Sequence, residues 1–220
     1  MDEYKLTDKY YNVSITEKQQ HKLFKKIIKK LMHNKKPSDD LYAYIIIGHP
    51  GSGKTTFIKS IDDYKIQNSK IFDTIVIDAD KIKEFMPDYL KNINIGLEKV
   101  TSRYIGENAI LYKWFVQKII MYLIKSQKYN LVIESVCAYV KYCDKLIKLL
   151  HDNNFKIIIY GYHINDIDLV KKRVNDRFLK TGRYISDDYT ENTHKNNLNN
   201  INKLIEKNKD ILEDYEINII

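Results

Sequence analysis

The chain has 220 residues, with 37 Lys and Arg against 29 Asp and Glu and a formal net charge of +8. That length suits one α/β domain, and the polar opening MDEYKLTDKY and the lack of a bilayer-length apolar run predict a soluble, cytoplasmic protein with no membrane partner. The lysine excess comes with abundant Ile, Asn and Tyr and only seven Gly and three Pro, as an AT-rich coding sequence would produce, so charge alone does not make nucleic acid the main partner.

In chain order, Thr16 to Met32 place Leu23, Ile27, Leu31 and Phe24, Ile28, Met32 at four-residue spacing, with lysines 22, 25, 26, 29 and 30 opposite. This predicts an amphipathic helix, packed on the core or appended to it, with a solvated basic face. Asn34 to Asp40, holding Pro37 and Ser38, breaks it.

Next comes YAYIIIGHPGSGKTTF, Tyr42 to Phe57, an apolar run feeding a G-x-x-x-x-G-K-[ST] phosphate-binding loop. Its glycines allow backbone N–H groups to converge on phosphate oxygens at the positive end of a helix. Gly48, His49, Pro50, Gly51, Ser52, Gly53, Lys54, Thr55 and Thr56 are therefore the candidate ATP-binding set. Lys54 would reach the β and γ phosphates, and the Thr55 hydroxyl would hold Mg²⁺.

Further apolar runs at Lys70–Ile77, Tyr129–Ile133, Phe155–Tyr160 and Tyr215–Ile220 alternate with helical patterns near Gly106–Lys125, Tyr139–His151, Asp166–Lys180 and Asp187–Lys209. Alternation of this kind predicts a P-loop NTPase-type, doubly wound parallel sheet of about five strands with flanking helices, all in one domain spanning 1–220. Cys137 and Cys143 match neither a disulfide framework nor a metal spacing and read as core thiols in a reducing compartment.

Functional groups in such sheets gather at the carboxyl ends of the strands. Asp78 and Asp80 follow the second predicted strand, and Glu134 and Ser135 follow the third. A carboxylate there can ligate Mg²⁺, orient a ligand or accept the proton of an attacking hydroxyl. Asp80 is the preferred base. Asp78 divides between holding the metal and capping the next helix. Glu134 would position the acceptor or the metal shell.

The run LVKKRVNDRFLKTGRY, Leu169 to Tyr184, carries Arg173 and Arg177 on one helix face, then Gly182 to end the helix and Arg183 to turn back. Arginines in a lysine-rich chain read as a phosphoryl-transfer lid rather than a surface ion pair with Asp176. No Asn-Lys-x-Asp signature is present, so a small kinase fits better than a switch GTPase.

These residues resemble the zeta-toxin family of P-loop kinases from about Ser14 to Ile205. The resemblance rests on SITEKQQHKLFKKIIKKL, IIIGHPGSGKTT, VIDADKIKEFMPDY, Thr101-Ser102, NLVIES and the lid residues Arg173, Val174, Arg177, Gly182 and Arg183. It implies ATP-dependent phosphorylation of a sugar hydroxyl of UDP-N-acetylglucosamine, with Asp80 as the catalytic aspartate and an antitoxin-like protein inhibitor as a partner. It also implies acceptor contacts from Ser135, Thr101 and Arg103. Where relatives follow the strand glutamate with Gly-Thr, this chain has Ser135-Val136, and the run CAYVKY lacks an arginine that some relatives place nearby. Two alternatives stay open: a nucleoside, nucleotide or polynucleotide 5′-hydroxyl kinase, and a catalytically weak ATP-binding regulatory module acting through the basic helix.

Overall fold

The computed structural model describes residues 15–63, 73–86, 89, 100–101 and 107–220, with 59–63, 100–101 and 107–111 described by backbone alone. Helix α1 spans Glu17–Leu31 and opens on a capping box, Thr16 and Gln19 each accepting from the other's backbone N–H. Its apolar stripe of Phe24, Ile27 and Ile28 joins the main core, so this helix is packed on the sheet and not appended to it.

Strand β1 (Tyr42–Gly48) is followed by α2 (Lys54–Asp63), β2 (Thr74–Ile77), α3 (Ala79–Lys83), β3 (Val100–Thr101) and α4 (Glu107–Ser126). Then come β4 (Asn130–Ser135), α5 (Val140–Asp152), β5 (Lys156–His163), α6 (Ile167–Thr181), β6 (Arg183–Tyr184), α7 (Asp187–Asn208) and β7 (Asp214–Ile219). Five strands form one sheet in the order β2-β4-β1-β5-β7, and every pairing is parallel. Residues 70–72 of the second predicted run lie outside the described residues, so β2 is described only from Thr74.

Strand β1 is central and buried along its whole length, which is why YAYIII reads as a continuous apolar run. Its alternate residues serve two cores. Ala43, Ile45 and Ile47 join the larger cluster with residues of α1, α4, α5 and α7, while Tyr42, Tyr44 and Ile46 join a smaller one with Ile58 of α2. The helix after β1 thus covers one face and the helix after β4 the other. Chain directions diverge between these neighbouring strands, which opens a crevice at their carboxyl ends.

A parallel sheet brings all its carboxyl ends to one edge, so Gly48, Asp78, Glu134 and His163 arrive together from four strands. The register pairs Ile46 with Glu134 and Gly48 with Tyr162. Apart from the sheet, β3 and β6 make a two-residue parallel pair, Val100 with Arg183 and Thr101 with Tyr184. Cys137 and Cys143 are free and buried. No helix among the described residues is long and apolar enough to cross a membrane.

Candidate active site

Strand β1 ends at Gly48 and α2 begins at Lys54, leaving five residues for the loop. A Cβ on Gly48 would collide with Ser52 Oγ and lie 2.9 Å from the Tyr162 carbonyl, so only glycine lets the loop close against β5. Gly53 has φ +97°, a backbone shape that side chains disfavour. Lys54 is buried, and its Nζ donates to the carbonyls of Gly48 (2.6 Å) and His49 (3.1 Å). Burial pulls its pKa down to about 8; Glu134, Asp80 and Asp78 oppose the shift and Arg177 adds to it. Ser52 Oγ is buried with no hydrogen-bond partner among the described residues.

The loop opens on a cavity of about 860 Å³, whose walls include Lys54, Thr55, Asp78, Asp80, Glu134 and Arg177. Thr55 Oγ1 donates to Glu134 Oε1 at 3.3 Å, joining the start of α2 to the end of β4. Burial raises the Glu134 pKa, with Lys54 opposing the rise. Asp78 caps α3, its Oδ1 accepting from the N–H groups of Asp80 (2.8 Å) and Lys81 (3.4 Å), so the capping role is met by one carboxylate oxygen. Ser135 lines the cavity, and its hydroxyl accepts from Cys137 N–H at 3.0 Å.

Asp80 stands between cations. Lys83 Nζ lies 2.9 Å from Oδ1, and the Arg183 guanidinium pairs with Oδ2. Burial pushes the Asp80 pKa up, but Lys83, Arg183 and Arg177 together outweigh it and hold the carboxyl below its ordinary value. Lys83 is itself buried, with its Nζ 4.9 Å from the centroid of the Tyr112 ring.

Helix α6 carries Arg173 and Arg177 toward this point, and β6 brings Arg183. Arg173 Nη1 donates to the Gly51 carbonyl at 3.4 Å, on the loop side. Arg177 is half-buried, and its buried Nε has no partner among the described residues. Burial and the neighbouring Arg183 lower its pKa, against Asp80 and Glu134, so two guanidinium groups share a site with three carboxylates. Gly182 ends α6 at φ +70°, as its position predicted, and turns Arg183 back into β6.

The cavity therefore gathers Pro50 through Thr56, Asp78, Asp80, Glu134, Ser135, Arg173 and Arg177, and Arg183 reaches it through Asp80. His49 differs. Its ring is buried away from the cavity among other histidines, and only its carbonyl serves the site. Arg103 and the Thr101 side chain lie outside the described residues. Lining residues that carried no role in the sequence include Tyr112, Tyr162, Ile185, Tyr189 and Ile220. Lys83 was visible only as the basic residue closing the VIDADKIK segment.

Residues 25–218 match the family model described as Zeta toxin. Among solved structures, the chain is similar to one from the PezAT chromosomal toxin–antitoxin system of Streptococcus pneumoniae, at 20% identity and a TM-score of 0.67, over 93% of this chain and 79% of that one. It is also similar to chains of AvrRxo1-ORF1:AvrRxo1-ORF2 complexes. With sulphate ions the identity is 13% and the TM-score 0.60, over 91% of this chain; with ATP they are 13% and 0.57, over 92%. The chain spans 63% and 64% of those two, less than two thirds of their length. At these identities the likeness shows a shared fold. No curated protein matches the sequence.

Proposed function

The chain belongs to the zeta-toxin family, and on that premise we propose that it is a kinase that moves the γ-phosphate of ATP to a hydroxyl of a UDP-activated amino sugar. One observation carries this: a phosphate-binding loop, an aspartate gripped by cations and two arginines converge on a single cavity.

The residues fit a nucleoside triphosphate with Mg²⁺. Ser52 Oγ and Arg177 Nε are buried polar atoms without partners among the described residues, both donors, and both belong to residues on the walls of the cavity, where anionic oxygens would satisfy them. Lys54 adds a buried cation held at the mouth of the loop by two carbonyls. A chain of similar fold is solved with ATP. ATP supplies the phosphoryl group, and Mg²⁺ shields its oxygens; Thr55, with Glu134 beside it and Asp78 across the crevice, would hold the metal.

Asp80 takes the proton of the acceptor hydroxyl. Lys83 fixes the carboxylate from one side, so the oxygen now paired with Arg183 is the one that meets the acceptor. Giving up that pair frees Arg183 to join Arg177 over the transferring phosphate, a contribution of about 10³ to 10⁵ in rate for arginines in this role. The β3–β6 pair ties Arg183 to residues 100–101, and the family resemblance assigns Thr101 to the acceptor. Family membership also brings the expectation of a protein inhibitor, in line with the toxin–antitoxin origin of the Streptococcus pneumoniae neighbour.

A mass-spectrometric transfer assay with ATP, Mg²⁺ and a mixed panel of UDP-sugars, nucleosides and short oligonucleotides tests the acceptor. UDP-N-acetylglucosamine gaining one phosphate is expected. Phosphate appearing only on nucleosides or oligonucleotide 5′ ends would replace the sugar acceptor with a nucleic-acid one. ATP binding without transfer to any acceptor would overturn the kinase assignment.

A further inference from the structure

Behind the P-loop, three imidazoles from distant parts of the chain pack together: His49 from the loop, His163 from the end of β5 and His194 from α7. Their ring centroids are 5.4 Å (His49–His163), 5.0 Å (His49–His194) and 5.0 Å (His163–His194) apart. One ring nitrogen from each lies within 4.8 Å of the others.

The hydrogen bonds decide which nitrogens carry a lone pair. His49 Nδ1 donates to the Pro50 carbonyl (2.8 Å), and His194 Nε2 donates to the Ile164 carbonyl (2.7 Å). His163 Nδ1 donates to Asn197 Oδ1 (3.2 Å). Each of these partners is an oxygen that only accepts, so the neutral rings keep their lone pairs on His49 Nε2, His163 Nε2 and His194 Nδ1. An imidazole whose outer N–H is held by an oxygen, with its other nitrogen left as a donor, is how proteins orient histidine around a metal.

We propose that His49, His163 and His194 form a transition-metal site of the Zn²⁺ class, separate from the Mg²⁺ position at Thr55. Three imidazoles with neither carboxylate nor thiolate suit Zn²⁺, Co²⁺, Ni²⁺ or Cu²⁺ and are poor ligands for Mg²⁺ or Ca²⁺. A fourth position has somewhere to open: His163 and His194 line a cavity of about 410 Å³ with Lys195, Asn199 and Asn202.

The Ile164 N–H donates to His49 Nε2 at 3.1 Å. A metal replaces that bond and draws the three nitrogens to about 3.4 Å from one another, the spacing that Zn–N bonds of about 2.0–2.1 Å impose on a tetrahedron. His49 lies in the P-loop and its carbonyl holds Lys54, so the metal would tie the phosphate-binding loop to β5 and α7.

The test uses the full chain in excess Mg²⁺, which fills the carboxylate position, titrated with Co²⁺ and then Zn²⁺. Expected are one Co²⁺ per chain with the visible absorption of a four-coordinate ion, displacement by one Zn²⁺, and at least a hundredfold weaker binding in His163→Ala and His194→Ala. Asn197→Asp keeps an acceptor on His163 Nδ1 and preserves binding, while Asn197→Ala weakens it by about 10- to 100-fold. Exposed His151 on α5 is the control, and His151→Ala binds as the wild type does. Circular dichroism checks that each variant is folded, and Asn197→Asp, nearly isosteric, keeps a readout if the alanine variants are not. Metal binding that is absent at about 10 μM, or equal in wild type and a folded His194→Ala, would overturn the site and leave the three rings as a hydrogen-bonded latch.

Discussion

Lys54 shows how a single residue can couple pH to ligand binding. Its pKa in the free protein is about 8, below the ordinary lysine value, because burial penalises the charge. A bound triphosphate would restore the missing compensation and hold the proton more tightly. ATP affinity should therefore be level below pH 8 and weaken above it, by up to about tenfold per pH unit, as the free protein loses a proton that the complex keeps. Calorimetric titrations across that range should show the break, and Lys54→Met should bind weakly with no break. Lys83 was missed as a functional residue because a lysine among 37 basic residues carries no signal until its burial against Asp80 and Tyr112 is known. Among the charges that lower the Asp80 pKa, Lys83 is the largest. Lys83→Met should raise that pKa and move the acid limb of kcat/KM to higher pH, while the ATP Kd stays close to wild type. An unchanged acid limb would make Lys83 a packing residue.

At the level of elements, the apolar runs and helical spacings placed all five strands of the main sheet and its flanking helices within a few residues. The reason is physical: the inner strands of a doubly wound sheet are buried on both faces and read as apolar runs, whereas β7, at the sheet edge, alternates as DYEINI and is largely exposed. The β3–β6 pair was not legible, because two residues from each of two distant polar segments leave no periodicity to read. Gly182 was legible, since a glycine after LVKKRVNDRFLKT marks a helix end. Its φ of +70° makes Gly182→Ala cost about 1 kcal/mol in stability, measurable by urea unfolding. Because Arg183 follows directly, the same variant should lower kcat more than it alters ATP affinity; equal effects on both would detach the lid from the β6 geometry.

For the whole molecule, the P-loop, the paired aspartates and the arginine run were visible as separate motifs, and their meeting required only that a parallel sheet deliver its carboxyl ends to one edge. The histidine cluster had no such local mark. His49, His163 and His194 come from three elements with no ligand spacing between them, and only the packing of α7 over the end of β5 brings them together. Ser52 likewise looked like one more loop residue until its hydroxyl proved buried and unpartnered among the described residues. The central proposal is that the cavity transfers a phosphoryl group with Asp80 as base, and Asp80→Asn tests it most directly. Phosphotransfer to UDP-N-acetylglucosamine and ATP affinity should be measured side by side on the purified chain. The expected result is a loss of about 10²- to 10⁴-fold in rate with nearly unchanged ATP binding, since a base acts on the transition state. Transfer at the wild-type rate, or loss of ATP binding in step with loss of transfer, would contradict the role assigned to Asp80.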